Sequence, residues 1–190
     1  MRKLEHEEIP RADPGEISTL PRHEIAVIAH DIRSIHNVGS MFRTSDAARI
    51  SHLYLTGYTG TPEHRMLRKT ALGAQHTVPW SHHEDPHDVI DSLAEEGYQI
   101  AVLEQTTEPT PIDEVSSDAF PVCMILGNEL DGVDQSIIDR ADYAFEIHQF
   151  GTKQSLNVSV AYGIAIFDLV RRYRHVKGLD PHPFHSSHQR

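Results

Sequence analysis

Residues 121–164 read PVCMILGNELDGVDQSIIDRADYAFEIHQFGTKQSLNVSVAYGI, and the remainder of the chain becomes legible outward from them. The stretch opens on an apolar run, Val122 to Leu126, flanked by Pro121 and Gly127. A short uninterrupted apolar run between such breakers has the size of a buried strand. The chain then turns polar and glycine-rich through Gly127-Asn128-Glu129-Leu130-Asp131-Gly132, which suits neither strand nor helix. A second strand is predicted over Tyr143 to Ile147, and a polar loop, Gly151 to Gln154, leads into a helix starting near Ser155. Two strand ends thus deliver two polar loops. In an open α/β sheet, loops at the carboxyl ends of strands form the ligand crevice.

On the N-terminal side, Ile25 to Ala29 reads as a strand and His30 to Gly39 as a loop. A helix is predicted from Ser40, with Met41, Phe42, Ser45 and Ala48 on one face, so that Asn37 falls just before its start and Arg43 in its first turns. His52 to Leu55 is a strand, residues 63–72 a short helix, and Thr77 to Trp80 a short strand. Asp85 and Pro86 open a helix as N-cap and first residue, and Gly97 ends it. Gln99 to Leu103 is a strand, and residues 104–120 form a proline-containing loop or broken helix. The last helix runs to about Tyr173; between Leu156 and Phe167 it is apolar nearly all round, which predicts burial. Strands alternating with helices imply an α/β fold, a mainly parallel sheet with helices on both faces.

A chain of 190 residues is long enough for one domain with a sizeable core. Residues 1–22, with three prolines and no period, read as a flexible arm, and 177–190 as a disordered tail. No apolar run approaches the ~20 residues of a membrane span, and the first residues lack the apolar core of a secretory signal. These features imply a cytoplasmic protein. The single cysteine, Cys123, excludes an intramolecular disulfide. The net charge of −11 argues against a nucleic-acid partner, but it is unevenly spread. Residues 70–139 contain no Lys or Arg and fifteen Asp and Glu, whereas the flanking segments carry 17 Lys and Arg against 13 Asp and Glu. If the flanking segments share a face, that face is basic although the whole is acidic; the alternative is ordinary solvated surface.

The chain has no GxGxxG, GxxxxGK[ST] or GxSxG, so nothing marks a dinucleotide site, a P-loop or a hydrolase elbow. His82-His83-Glu84-Asp85-Pro86-His87 could hold a metal but reads better as a polar loop, and no metal is expected. Three polar sets remain: Asn37, Gly39, Arg43 and Thr44; Gly127, Asn128 and Glu129; Gly151, Ser155 and Asn157. Singly they could be helix caps, a surface charge and a turn. Together they all fall at loop–helix junctions or strand ends.

The segments HNVGSMFRTSDAARI (36–50), ILGNELDGV (125–133) and the run from Ile147 through SLNVSVAYGI (155–164) resemble the three motifs of the SpoU (TrmH) branch of the SPOUT RNA methyltransferases. The resemblance covers roughly residues 25–170. It implies a SPOUT domain over 23–176 whose C-terminal part forms a trefoil knot, a rare exception to unknotted topology. It further implies a homodimer that binds S-adenosyl-L-methionine in the knot and methylates a ribose 2′-hydroxyl of tRNA or rRNA. A knotted protein that holds RNA or an assembly partner without catalysis is the alternative. Carried onto this sequence, the resemblance puts the cofactor against Gly127, Asn128, Ile147 and Leu156, with Leu103 and Glu104 beside its adenosine. Asn37, Arg43, Glu129, Ser155 and Asn157 match the polar active-site positions. His148-Gln149 stands where the family has a proline after the isoleucine. Arg33, Arg65, Arg68, Lys69 and Lys153 are the expected phosphate contacts.

Overall fold

The computed structural model describes residues 1–8 and 21–180. Most of the expected arm and the tail from residue 181 lie outside the described residues. Six strands form one sheet: β1 (His23–His30), β2 (Ile50–Thr56), β3 (Trp80–His83), β4 (Gln99–Leu103), β5 (Val122–Leu126) and β6 (Tyr143–Phe145). Their order is β3-β2-β1-β5-β4-β6, and every pairing is parallel. The strand order reverses direction at β1 and β5, whose following connections lead to opposite halves of the sheet. Ile25 pairs with Val122 and Ala29 with Leu126, so β1 and β5 end level. The loops that follow them therefore emerge side by side at the carboxyl edge.

Helices cover both faces, as the alternation predicted. On one face lie α1 (Ile35–Ala48), α2 (Arg65–Ala71) and, after the other elements, the long C-terminal helix Val158–Val176. On the other lies α3 (Pro86–Glu95), with the single turn α4 (Gln135–Ile138) beside it; the long helix is then α5. Met41, Phe42, Ser45 and Ala48 of α1 are all buried, as their spacing required. In that core the Ser45 and Tyr162 hydroxyls hydrogen-bond at 2.7 Å, tying α1 to α5. Burial pushes the Tyr162 phenol well up, against the Ser45 hydrogen bond. Gly39 lets α2 approach α1: a Cβ there would stand 2.6 Å from Thr70 Cβ.

Several boundaries differ from the sequence reading. α1 starts at Ile35 with Ser34 as its N-cap, so Asn37 lies in the first turn rather than before it. α5 starts at Val158 and is capped by Asn157, not Ser155, and it runs on to Val176. β3 covers Trp80–His83, not Thr77–Trp80, because Ala74–His76 is a 3-10 turn that delays the strand. β6 stops at Phe145, leaving Glu146 and Ile147 in the following loop. The expected burial of α5 is also corrected. Its inner face (Tyr162, Ala165, Ile166, Leu169) is buried, but Val160, Ile164 and Phe167 are 50%, 41% and 45% exposed. α5 lies in an outer layer and has only one side against the sheet. Periodicity records that both sides are apolar and says nothing about what covers the second.

The charge asymmetry follows the two faces in part, with Glu63, Asp113 and Glu114 exposed on the first side as well. Arg43, Arg65, Arg68, Lys69 and Arg171 are exposed on the α1, α2 and α5 side, whereas Asp88, Asp91, Glu95 and Glu96 are exposed along and just after α3. Among the described residues, no helix is long and apolar enough to cross a membrane.

Candidate active site

Two loops build the site's centre. After β5 the chain folds Gly127–Gly132 into a closed turn, with Asn128 N–H donating to Gly132 O (3.1 Å) and Gly132 N–H to Asn128 O (3.0 Å). Asn128 Oδ1 accepts from the Leu130 and Asp131 N–H groups at 2.7 and 3.0 Å, so its side chain is committed to the turn itself. The turn is tight enough to demand glycine at both ends. A Cβ on Gly127 would sit 2.0 Å from Gly132 O, and Gly132 has φ +74° and faces the Glu104 carboxylate. Glu104 in turn accepts from Val133 N–H (3.0 Å) and Gln105 N–H (2.8 Å).

This turn aims Glu129 at the neighbouring β1–α1 loop. One carboxylate oxygen accepts from Arg33 N–H at 3.0 Å; the other accepts from Ser34 N–H at 3.2 Å and from Asn37 Nδ2 at 2.8 Å. Asn37 Oδ1 accepts from Asn157 Nδ2 at 3.1 Å, and Asn157 Oδ1 caps α5 by accepting from Ser159 N–H at 3.0 Å. A single chain of hydrogen bonds thus joins the N-terminus of α1, the β5 loop and the N-terminus of α5. Burial opposes ionisation of Glu129, but the hydrogen bonds from Arg33, Asn37 and Ser34 outweigh it and hold the carboxyl below its ordinary value. Glu129 is therefore an ionised acceptor at neutral pH.

Beside this network is a cleft of about 300 Å³ between the β4, β5 and β6 loops and the start of α5. Leu103, Glu104, Gly127, Asn128, Ile147 and Leu156, the expected cofactor contacts, all line it, together with Glu129 and Ser155. Gln105, Gly132 and Gln149 also line it and were not anticipated. Gln105 Nε2 donates to Gln154 O at 2.6 Å, bridging the β4 loop to the loop before α5. Nothing but a polar residue after a strand marked Gln105; Gly132 was readable as the second glycine of the turn. Gln149, which replaces the expected proline's surroundings, faces the cleft, whereas His148 is exposed, 4.0 Å from Glu146.

Arg43 is not brought to this centre. It is exposed on α1 and makes no hydrogen bond or ion pair among the described residues. The expected phosphate contacts Arg33, Arg65, Arg68, Lys69 and Lys153 are all exposed, although Arg68 also bonds the Pro62 and Glu63 carbonyls at 3.1 and 2.9 Å. The histidine run is dispersed: His82 bonds Gly57 O, His83 bonds Ser81, and His87 lies against Ser136 and Arg140.

A parallel α/β sheet with a glycine-walled cleft at the carboxyl ends of its strands has the form of a cofactor-binding site. Residues 24–167 match the model of the SpoU rRNA Methylase family, and the chain belongs to that family. It is 30% identical over 163 residues to the tRNA (guanosine(18)-2′-O)-methyltransferase of Aquifex aeolicus, covering 84% of this chain and 74% of the relative. It is 27% identical to the 23S rRNA (guanosine-2′-O-)-methyltransferase RlmB of Haemophilus influenzae, over 87% of this chain and 67% of that protein. Among solved structures, the A. aeolicus TrmH/SpoU tRNA modifying enzyme superposes with a TM-score of 0.76 at 28% identity, over 87% of this chain and 82% of that one. The AdoMet-bound rRNA methyltransferase of Sinorhizobium meliloti gives 0.73 at 25% identity, over 83% of this chain and 60% of that one.

Proposed function

We propose that the protein transfers a methyl group from S-adenosyl-L-methionine to a ribose 2′-hydroxyl of tRNA or rRNA. The observation that carries this reading is the Asn157–Asn37–Glu129 chain of hydrogen bonds set against the glycine-walled cleft. The residues present fit the cofactor. The cleft offers Leu103, Leu126, Ile147 and Leu156 for an apolar ring system, backbone at the Gly127–Gly132 turn, and carboxylates for a cationic ligand. When bound, the cofactor supplies a methyl group activated by a positively charged sulfur.

The protein's part is then positioning and proton handling. Glu129 already accepts three N–H groups and has a lowered pKa, so it is a poor general base. It fixes Asn37 and the β1–α1 loop. Arg43, whose planar guanidinium only donates hydrogen bonds, grips the phosphate of the target nucleotide from its exposed place on α1 and polarises the hydroxyl, whose proton leaves to solvent. Ser155 and Asn157 shape the loop over the cleft. Arg33, Arg65, Arg68, Lys69 and Lys153 contact the RNA backbone.

Two further parts of the reading concern assembly. The exposed apolar stripe Val160, Ile164 and Phe167, of which Ile164 and Phe167 line a groove of about 1770 Å³, suits a second copy of this chain. A trefoil knot formed by the segments around β5, β6 and α5 accords with family membership. The decisive experiment incubates the protein with labelled cofactor and whole-cell RNA and maps 2′-O-methyl positions. Label is expected in RNA at a defined ribose, and Arg43→Lys is expected to lose most of the turnover because bidentate geometry is lost. Tight cofactor binding with no label in any RNA would overturn the catalytic reading.

A further inference from the structure

The loop after β2, Gly57-Tyr58-Thr59, is fastened at every residue: Gly57 to β3, and Tyr58 and Thr59 to the end of β1 and the start of the loop that holds Glu129. Gly57 N–H donates to His83 O at 3.1 Å, and Gly57 O is bonded by His82 Nε2 at 2.9 Å. Gly57 has φ +64°, and a Cβ there would lie 1.9 Å from Asp31 Oδ1, so only glycine permits this approach. That same Asp31 oxygen accepts from Tyr58 N–H at 2.9 Å. Thr59 is buried, and its hydroxyl donates to Ala29 O (2.9 Å) while accepting from Ile32 N–H (2.9 Å). Asp31 itself sits at φ 53°, two residues before Arg33, whose N–H holds Glu129.

Between these fixed points the Tyr58 side chain is 58% exposed and, among the described residues, has no aromatic partner and no hydrogen bond through its hydroxyl. The charges around it are those of the site. Slight desolvation, then Asp31, Glu129 and Asp131, push its phenol above the ordinary value, with Arg33 opposing them. Phe150 is more exposed still, at 98%, but its loop is exposed from residue 150 through 157 and lacks such fastening.

We propose that Tyr58 is a stacking platform for an unpaired base of the RNA substrate, placed by its anchored backbone beside Arg33 and the Glu129 network. The proposal rests on the RNA methyltransferase reading and adds a recognition element to it. An exposed ring on a rigid backbone loses little freedom on binding, and every base has a π-face to offer it. Arg33, exposed on the adjoining loop, supplies a cation for the phosphate next to the stacked base. The enzyme therefore prefers unpaired to duplex RNA around the target nucleotide.

The test uses the full chain and a single-stranded RNA decamer carrying one 2-aminopurine, with the matching duplex as a second probe. Wild type and Tyr58→Trp are expected to quench the single-stranded probe, because a stacked ring remains. Tyr58→Ala is expected to lose the quench and to weaken RNA binding on the order of tenfold, with cofactor binding and thermal midpoint unchanged. In turnover, its KM for RNA rises while kcat changes little. If Tyr58→Ala quenches as fully as wild type, the stacking role is wrong while the methyltransferase reading stands. If wild type binds neither probe at low salt, the stacking role is wrong, and the methyltransferase reading is decided separately by labelling of whole-cell RNA.

Discussion

Glu129 accepts hydrogen bonds from two backbone N–H groups of the β1–α1 loop and from one side chain, and its charge is what makes those three donors converge. Hydrogen bonds to a charged acceptor are roughly twice as strong as neutral ones. In Glu129→Gln the charge disappears and one terminal atom becomes a donor facing donors. The β1–α1 loop is then expected to loosen, with turnover falling at least tenfold while the fold persists. The pH response has a definite sign. The folded carboxyl titrates below its ordinary value of 4.5; its stabilising contribution is therefore complete above that value and is lost as pH falls through the lowered one. Thermal midpoints of wild type and Glu129→Gln, measured from pH 6 to pH 3, should differ most at pH 6 and converge on acidification. A constant difference across that range would contradict the account. At this scale much was readable: Asn37, Glu129 and Asn157 stood out as polar residues at element ends, and they meet. Arg43 stood out equally and does not join them, because six positions along α1 carry it round the helix from Asn37. Tyr58 gave no signal, since a tyrosine in a glycine loop looks the same anchored or free.

Asn157 shows how an element boundary becomes part of a site. It is the N-cap of α5, and the same amide bonds Asn37. Asn157→Ala removes both. Loss of the cap costs about 1 kcal/mol, which for a chain of this size lowers the thermal midpoint by roughly 2–4 °C; activity should fall further than that modest change explains. Asn157→Asp retains the capping oxygen and should restore the midpoint more fully than the activity, because it cannot donate to Asn37. The elements themselves were legible where hydrophobic pattern dominates: β1, β2, β4, β5 and α3 lie close to their expected positions. They were misplaced where polar chemistry sets the boundary. β3 is the edge strand WSHH, with no apolar run to announce it, and α4 is a single turn too short to show a period. The start of α5 was set three residues early because Ser155 and Asn157 are both good caps and only packing selects between them.

At the scale of the whole molecule, the net charge of −11 hides an uneven spread of charge. In the proposed reading the exposed basic residues of α1, α2 and α5 take the RNA while the acidic residues of α3 repel it, which orients docking before contact. RNA affinity should fall steeply with salt, and Lys69→Ala should reduce the slope of log affinity against log salt by about 0.7–0.9, the share of one phosphate contact. Affinity indifferent to salt would remove this face from consideration. The other large surface feature is the stripe on α5. Phe167→Glu places a charge in it and should convert a dimer into a monomer by sedimentation, with the cofactor cleft's residues untouched; a monomeric wild type would exclude the proposed assembly. The stripe could not be recognised as surface from the sequence, because an exposed apolar residue is written like one facing a core.

The hydrogen bonds of the central network span long stretches of chain: Asn37 lies 92 positions from Glu129 and 120 from Asn157. Parallel pairing of this kind is assembled late, after slow long-range loop closure. Of the three residues, Asn157 is translated last, and without it Asn37 and α5 have no link. A nascent or partly folded chain consequently has no fragment of the network that works by itself. In the proposed reading, catalytic competence arrives only when α5 and its Asn157 cap have joined the rest of the fold.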